Sequence, residues 1–116
     1  MRDNRKCRRV NLVYHPEVYD AHSKKLLGNI VDISAGGFKM ITKKRMEQGK
    51  EYLLSINLPE GTSDSNRVDV KASVCWCGKD FDPELFAAGC YLVQIEAKGR
   101  LDLAAVMFAH GSKSKE

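Results

Sequence analysis

Residues 28–40 read GNIVDISAGGFKM and carry the strongest structural signal in the chain. Apolar side chains alternate with other residues on both sides of a break, and a period of two is typical of β-strands. Ser34, Ala35 and two glycines form the break, which has the composition of a tight turn. The stretch therefore predicts a β-hairpin with Asp32 and Ser34 at its turn. Because glycine has no Cβ, the turn is also a place where a ligand can approach the backbone closely.

The same alternation continues through most of the chain, and turn-rich segments separate the alternating runs. It predicts six strands, at residues 10–16, 25–33, 37–43, 51–58, 67–76 and 90–96. Residues 59–66 are expected to form a loop, and residues 78–89 a longer connection. Within the fifth strand, one face of the alternation predicts the inward side chains Val68, Val70, Ala72, Val74 and Trp76.

A helix is predicted at the C-terminal end, over residues 98–111. Four apolar residues recur there at helical spacing, namely Leu101, Ala104, Ala105 and Phe108. Six short antiparallel strands followed by one helix predict an all-β fold with a C-terminal helix, built as a small six-stranded antiparallel β-barrel. We expect a basic N-terminal arm at 1–9, one domain at 10–111 and a disordered tail at 112–116.

Length and composition indicate one globular domain. The chain has 116 residues, of which 43% are hydrophobic and 29% charged, as in ordinary soluble proteins. No apolar run approaches the roughly 18 residues that a membrane span needs, so we expect no membrane span. The N-terminus is charged and lacks the apolar region of a secretory signal. We therefore expect the protein to be cytoplasmic.

Positive charge is concentrated at the N-terminus. The net charge is +4, and residues 1–9 hold five basic side chains against Asp3 alone, so the rest of the chain is neutral overall. Such a cluster favours an anionic partner: nucleic acid, anionic lipid or a phosphorylated small molecule. A solvated tail is the alternative. The cluster, however, leads directly into an apolar strand at Val10.

The cysteines and histidines do not form a recognisable catalytic or metal site. Cys75 and Cys77 have one residue between them, unlike the C-x-x-C pairs of zinc and thiol-redox sites. We interpret them as small apolar side chains of a strand, with a metal site that adds Cys7 or Cys90 as the lesser alternative. Because the sequence also lacks a nucleophile–base pair and a phosphate-binding P-loop, we expect neither an enzyme nor a cofactor.

Two groups of residues together indicate a nucleotide ligand. Arg5 and Arg9 offer guanidinium groups, which grip phosphates by bidentate hydrogen bonds and stack on bases. The carboxylate of Asp32 suits the paired N–H donors of guanine, and Ser34 adds a further hydrogen-bonding group.

The two glycines that follow complete this group of residues. Gly36 and Gly37 would let backbone amides approach the ligand. In a meander, the start of the first strand and the turn between the second and third strands can be neighbours. Judged by itself, the turn is better explained by local hydrogen bonds from Asp32 and Ser34 to the backbone than by a ligand.

These residues resemble the motifs of the PilZ domain family, bacterial receptors for cyclic di-GMP. Arg5 and Arg9 match its R-x-x-x-R motif, and Asp32, Ser34 and Gly37 match its [D/N]-x-S-x-x-G motif. The likeness extends over nearly the whole chain, and no motif position is substituted. It implies that the arginines clasp phosphates and guanine faces, while the second motif forms the opposite wall of the site.

The resemblance implies a cyclic di-GMP receptor or adaptor that acts through another protein. We expect the ligand to order the basic arm over the barrel and to change the surface offered to that partner, with Arg2 and Arg8 as secondary contacts. One nucleotide or an intercalated pair would fit these motifs. Two alternatives remain: a PilZ-like scaffold that binds only a protein, and a small barrel that binds nucleic acid. The second is less favoured, because the arm is short and most aromatic residues fall on positions expected to face inward.

Overall fold

The computed structural model describes residues 10–61 and 66–111, so the predicted arm at 1–9 and tail at 112–116 lie outside the described residues. The described chain contains seven strands and one helix. These are β1 (Val10–Asn11), β2 (Glu17–Asp20), β3 (Leu26–Ser34), β4 (Gly37–Thr42), β5 (Glu51–Asn57), β6 (Arg67–Lys79), β7 (Phe86–Gln94) and α1 (Ala97–His110).

Six of the strands close into a barrel. The order of hydrogen-bonded neighbours is β3-β2-β5-β6-β7-β4, and β4 pairs back with β3. Every pair is antiparallel, and β1 adds a short extra strand to the edge of β3. Closure leaves no open sheet edge within the ring. The prediction of a six-stranded antiparallel barrel with a C-terminal helix is confirmed.

Alternating side chains from all six strands fill the interior, as the period of two requires. The core is aliphatic except for the buried aromatic ring of Phe38. The largest fully buried side chains that the strands contribute are Val18, Ile30, Ile33, Phe38, Met40, Leu54, Ile56 and Val74. Burial of this size is the main stabilising contribution, at about 1.5–3 kcal/mol for each large apolar side chain.

The first predicted strand is wrong in extent. Instead of one strand over 10–16, the chain forms β1, leaves the sheet, and re-enters it as β2. The backbone N–H of Val13 donates to the carbonyl of His110 at 2.9 Å, which draws the chain toward the end of α1. Pro16 follows, and proline cannot donate to a strand ladder. The sheet therefore resumes only at Glu17.

The hairpin between β6 and β7 is longer than the alternation predicted. The connection was expected over residues 78–89, but it comprises only residues 80–85, and β7 begins at Phe86 rather than at residue 90. The first half of β7 is rich in alanine and glycine, which have low strand propensity. Pairing with β4 on one side and β6 on the other nevertheless holds this segment in the sheet, so tertiary context overrides local propensity.

Trp76 was predicted to face inward, and this prediction is wrong. A β-bulge follows Val74, which pairs with Cys90, whereas Trp76 pairs with Gly89. The inserted residue reverses the alternation. The Trp76 side chain therefore lies on the outside of the barrel, 44% exposed.

The helix forms where the sequence predicted it, but packs through a different face. Its buried residues are Gly99, Asp102, Leu103 and Val106. The apolar residues whose spacing identified the helix point elsewhere, and Leu101 and Phe108 are 71% and 93% exposed. No helix in the described parts of the chain is long and apolar enough to cross a membrane.

Candidate functional site

The predicted hairpin forms, but its polar residues lie in a strand. Asp32 and Ser34 belong to β3, and only Ala35 and Gly36 form the turn before β4. Asp32 is 9% exposed, so the expectation that it sits at an exposed turn is wrong. The register explains the difference, because the β3 ladder continues up to the pair Ser34–Gly37.

A bulge places both polar residues on the outer face of the barrel. The register of β3 against β4 shifts between Ile30 and Asp32. Because of this shift, Ile30 and Ile33 both face the core, although residues three apart in a regular strand face opposite sides. Residues on either side of Ile33 therefore point outward. The sequence motif thus becomes a pair of neighbouring groups on one surface, Asp32 and Ser34.

The strand registers extend this surface across four strands in two lateral rows. In the first row, Asp32 of β3 pairs with Lys39 of β4, and Lys39 pairs with Gly89 of β7. Gly89 in turn pairs with Trp76 of β6. In the next row, Ser34 is opposite Gly37, which is opposite Tyr91. Strands lie about 4.8 Å apart, so the first row crosses about 14 Å of surface and the second about 10 Å. We call this surface the outer-face strip, and it comprises Asp32, Ser34, Gly37, Lys39, Trp76, Gly89 and Tyr91.

Two aromatic side chains contribute to the outer-face strip. A Cβ built on Gly89 would lie 2.1 Å from Nε1 of Trp76, so the indole covers the backbone of that glycine. Tyr91, 51% exposed, stands beside it on β7. Flat exposed rings beside polar groups are suited to stacking on nucleobases. The expectation that most aromatics face inward is wrong for the described residues, where Phe38 is buried but Phe81 is fully exposed.

The two motif glycines have different structural roles. A Cβ on Gly37 would lie 2.1 Å from the carbonyl oxygen of Cys90, so β4 and β7 approach too closely there for any side chain. A Cβ on Gly36 would meet nothing within 4 Å. Neither residue has a positive φ. Gly37 is therefore required by strand packing, whereas only Gly36 leaves open space for a ligand above the turn.

Local hydrogen bonds fix the turn. The Ser34 hydroxyl lies 3.4 Å from the Gly37 carbonyl and 3.3 Å from the Gly36 N–H. The Gly36 carbonyl accepts from the Leu92 N–H at 2.9 Å. From α1, Nη1 of Arg100 donates to the carbonyl of Ala35 at 3.1 Å. The turn is thus held by its own strand, by β7 and by the helix, which gives a ligand a preformed surface.

β1 brings the N-terminal segment to this surface. Val10 is opposite Ile33, and Asn11 is opposite Asp32. Because the pairing is antiparallel, Val10 is the β1 residue nearer to the Ser34 end of β3, at the edge of the outer-face strip. Four predicted site residues, Arg2, Arg5, Arg8 and Arg9, lie outside the described residues.

The three described cysteines lie in β6 and β7 and differ in exposure. Cys90 is buried in the core, and this burial, together with neighbouring cysteines, raises the pKa of its thiol to about 12. Cys77 accepts a hydrogen bond from the Met46 N–H at 3.3 Å, and Cys75 is exposed. No group of three or more metal-binding side chains occurs within residues 10–61 and 66–111.

A separate cleft of about 550 Å³ lies between the start of α1 and strands β5 and β6. Its charged lining is balanced, with Arg67, Lys71 and Lys98 against Asp69, Glu96 and Asp102. No motif residue lines it. The outer-face strip has the more specific chemistry, since it joins a carboxylate, a lysine, a hydroxyl and two aromatic rings.

Sequence reasoning did not place Trp76, Tyr91 and Lys39 on the same surface as Asp32 and Ser34. The bulge hid Trp76, because strict alternation assigns it to the core. Gly89 was the available signal, since glycine within a strand often marks a bulge or a close approach. Tyr91 and Lys39 could be found only once the strand register was known.

Comparison with known proteins identifies the family of this fold. The family model for the PilZ domain matches residues 3–109. No curated protein sequence matches the chain.

Solved structures agree with that match. The PilZ domain with c-di-GMP of YcgR from Escherichia coli superposes with a TM-score of 0.69 and 12% identity, covering 93% of this chain and 92% of that one. The inhibitor of motility MotI/DgrA from Bacillus subtilis gives 0.70 and 19% identity, covering 92% of this chain and 49% of its own. The MrkH–c-di-GMP complex of K. pneumonia gives 0.67 and 12%, with 93% and 52% covered. The chain thus spans about half the length of the last two proteins, and these likenesses show the fold.

Proposed function

The chain belongs to the PilZ domain family, and we propose that it is a receptor for cyclic di-GMP which binds the nucleotide on the outer-face strip. One observation carries the proposal. The strand registers bring Asp32 and Ser34 to the outer surface beside Gly37, at the place where the basic N-terminal segment joins the barrel through Val10. This arrangement would bring the arginine motif, more than twenty residues away in sequence, to the same site.

The chemistry of the strip matches the two parts of the ligand. Asp32 is a recessed acceptor for the paired N–H donors of guanine, and its low exposure strengthens such hydrogen bonds. The phosphates would be held by Arg5 and Arg9, whose planar guanidinium groups donate paired hydrogen bonds to phosphate oxygens. Lys39, opposite Asp32, adds a positive charge on the same face.

Stacking would complete the site. Trp76 presents its indole on the outside of β6, and Tyr91 stands one row away. A base held between the turn and these rings would gain about 1–3 kcal/mol from stacking. YcgR and MrkH, both solved with c-di-GMP, supply a precedent for a nucleotide on this fold.

The proposed output is a change of surface. Phosphates would neutralise the arginines and draw the arm over the outer-face strip, and a protein partner would then recognise the covered nucleotide and the ordered arm. The barrel would change little, because its turn is already held by β7 and α1. The protein would act as an adaptor without catalytic activity of its own.

The exposed aromatic residues give the nucleic-acid alternative a specific basis. Trp76 and Tyr91 would also stack on the bases of a single strand. Calorimetric titration with cyclic di-GMP, GTP and single-stranded DNA, run side by side, separates the two functions. A receptor binds the first tightly and the others weakly, and the heat also gives the number of nucleotides per chain. Tight binding to DNA alone, or to none of the three, would contradict the proposal.

Single substitutions in the arm locate the site. Arg5→Ala and Arg9→Ala should each weaken cyclic di-GMP binding more than tenfold, since a charge-assisted hydrogen bond contributes about 1.5–3 kcal/mol. Lys6→Ala is the matched control, because it removes one positive charge from the same segment outside the motif. If the double arginine variant binds as tightly as the unmodified chain, the arm is not part of the site.

A further inference from the structure

The face of α1 that points away from the barrel is apolar and exposed. Leu101 is 71% exposed and Phe108 is 93% exposed, which is unusual for two large apolar side chains on one short helix. Two exposed alanines lie in line with them. Their spacing of four, three and four residues places all four side chains on one face, opposite the buried residues. We call this face the outer helix stripe, comprising Ala97, Leu101, Ala104 and Phe108.

The order of large and small residues makes the stripe complementary to itself. When two copies of α1 are laid antiparallel about a two-fold axis between Leu101 and Ala104, Leu101 meets the partner's Ala104. In the same arrangement, Phe108 meets the partner's Ala97. Each bulky side chain then faces a small one, the condition for close helix packing. A two-fold interface requires this kind of self-complementary patch.

We propose that the outer helix stripe is the interface of a homodimer in which two copies of α1 pack antiparallel. The stripe contains no charged residue, so a second copy brings no like charges into its centre. Lys98 and Arg100 are exposed beside it and would form a polar rim. A flat lipid surface would gain nothing from the alternation of large and small residues, whereas an identical helix uses every position.

The contact is short, so the dimer is weak. A helix of 14 residues is about 21 Å long, too short to cover the roughly 800 Å² per partner of a standard interface. Association therefore depends on protein concentration. The proposal does not depend on nucleotide binding.

Sedimentation at an ionic strength of about 0.15 M tests this pairing, because salt then limits the repulsion between two positively charged chains. The unmodified chain should shift from monomer to dimer with rising concentration, and Leu101→Glu and Leu101→Lys should each remain monomeric. An equimolar mixture of these two variants should form dimers again. The two copies of residue 101 lie on either side of the two-fold axis, so the introduced carboxylate and ammonium groups would attract each other. Phe81→Glu is the control, since it removes a fully exposed aromatic from the hairpin between β6 and β7. It should leave the association unchanged.

The same experiment has outcomes that would overturn the proposal. A chain that stays monomeric up to about 1 mM, or a mixture of the two Leu101 variants that fails to associate, is incompatible with the antiparallel pair. Dissociation by Phe81→Glu would place the interface elsewhere. A monomer that binds phosphatidylglycerol vesicles through the stripe would show that its occupant is a lipid surface. Phe108→Ser should also be monomeric, and thermal unfolding of every variant confirms that it is folded.

Discussion

Replacing Gly37 with alanine should destabilise the barrel itself. The new Cβ would lie 2.1 Å from the Cys90 carbonyl oxygen and 2.8 Å from Cα of Tyr91. Real Cβ contacts stay above about 3.0 Å, so β4 and β7 would have to separate by about 0.9 Å. Such a separation stretches a hydrogen bond of about 2.9 Å beyond its range. Together with the strain of overpacking, we expect a loss of about 1–3 kcal/mol in the free energy of unfolding.

Thermal and urea unfolding measure this loss, and Gly36→Ala is the matched control. For a domain of this size the loss corresponds to a Tm lowered by roughly 4–12 °C. Gly36→Ala should unfold within about 0.5 kcal/mol of the unmodified chain, because its Cβ meets nothing within 4 Å. Equal stability of the two variants would refute the assigned role of Gly37. The comparison also matters for binding, since lost affinity in a Gly37 variant would not by itself identify a ligand contact.

Other consequences can be measured on the same protein. Asp32→Asn, which keeps the shape of a recessed side chain, should weaken cyclic di-GMP binding more than tenfold while unfolding near the normal temperature; unchanged affinity would assign guanine recognition to another group. Amide exchange should slow at residues 2–10 and 32–37 when cyclic di-GMP is added, and equal protection of the arm in both states would rule out arm ordering. At pH 8.5, a thiol reagent should modify exposed Cys75 while sparing Cys90, whose pKa is raised to about 12; reaction at Cys90 without unfolding would contradict its burial.

The fold could be predicted from the sequence wherever one face of a strand is buried. In β5 and the first half of β6, strict alternation assigns Leu54, Ile56, Val68 and Val70 to the core, and all four are buried. The turn after Ser34 was equally visible, because its glycines interrupt two apolar runs. These features depend only on local periodicity, which a single sequence contains.

The site could be predicted only in part, because bulges shift the register. Asp32 and Ser34 were identified as chemically suited to a ligand, but their place in β3 depends on the bulge after Ile30. Trp76 was assigned to the wrong face for the same reason, since its bulge is fixed by pairing with a distant strand. Likewise, the packing face of α1 follows from contacts with the barrel. Its most regular apolar stripe, which includes Phe108, remains outside.

Fluorescence provides the sharpest test of nucleotide binding at the outer-face strip, because Trp76 is the only tryptophan in the chain. Its indole lies on the outside of the barrel over Gly89, in the same lateral row as Asp32. Titration with cyclic di-GMP should change the Trp76 emission in a saturable way, with the dissociation constant that calorimetry gives, and Arg9→Ala should shift both together. Calorimetric binding with unchanged Trp76 emission would place the nucleotide elsewhere, and the absence of both signals would contradict the receptor function.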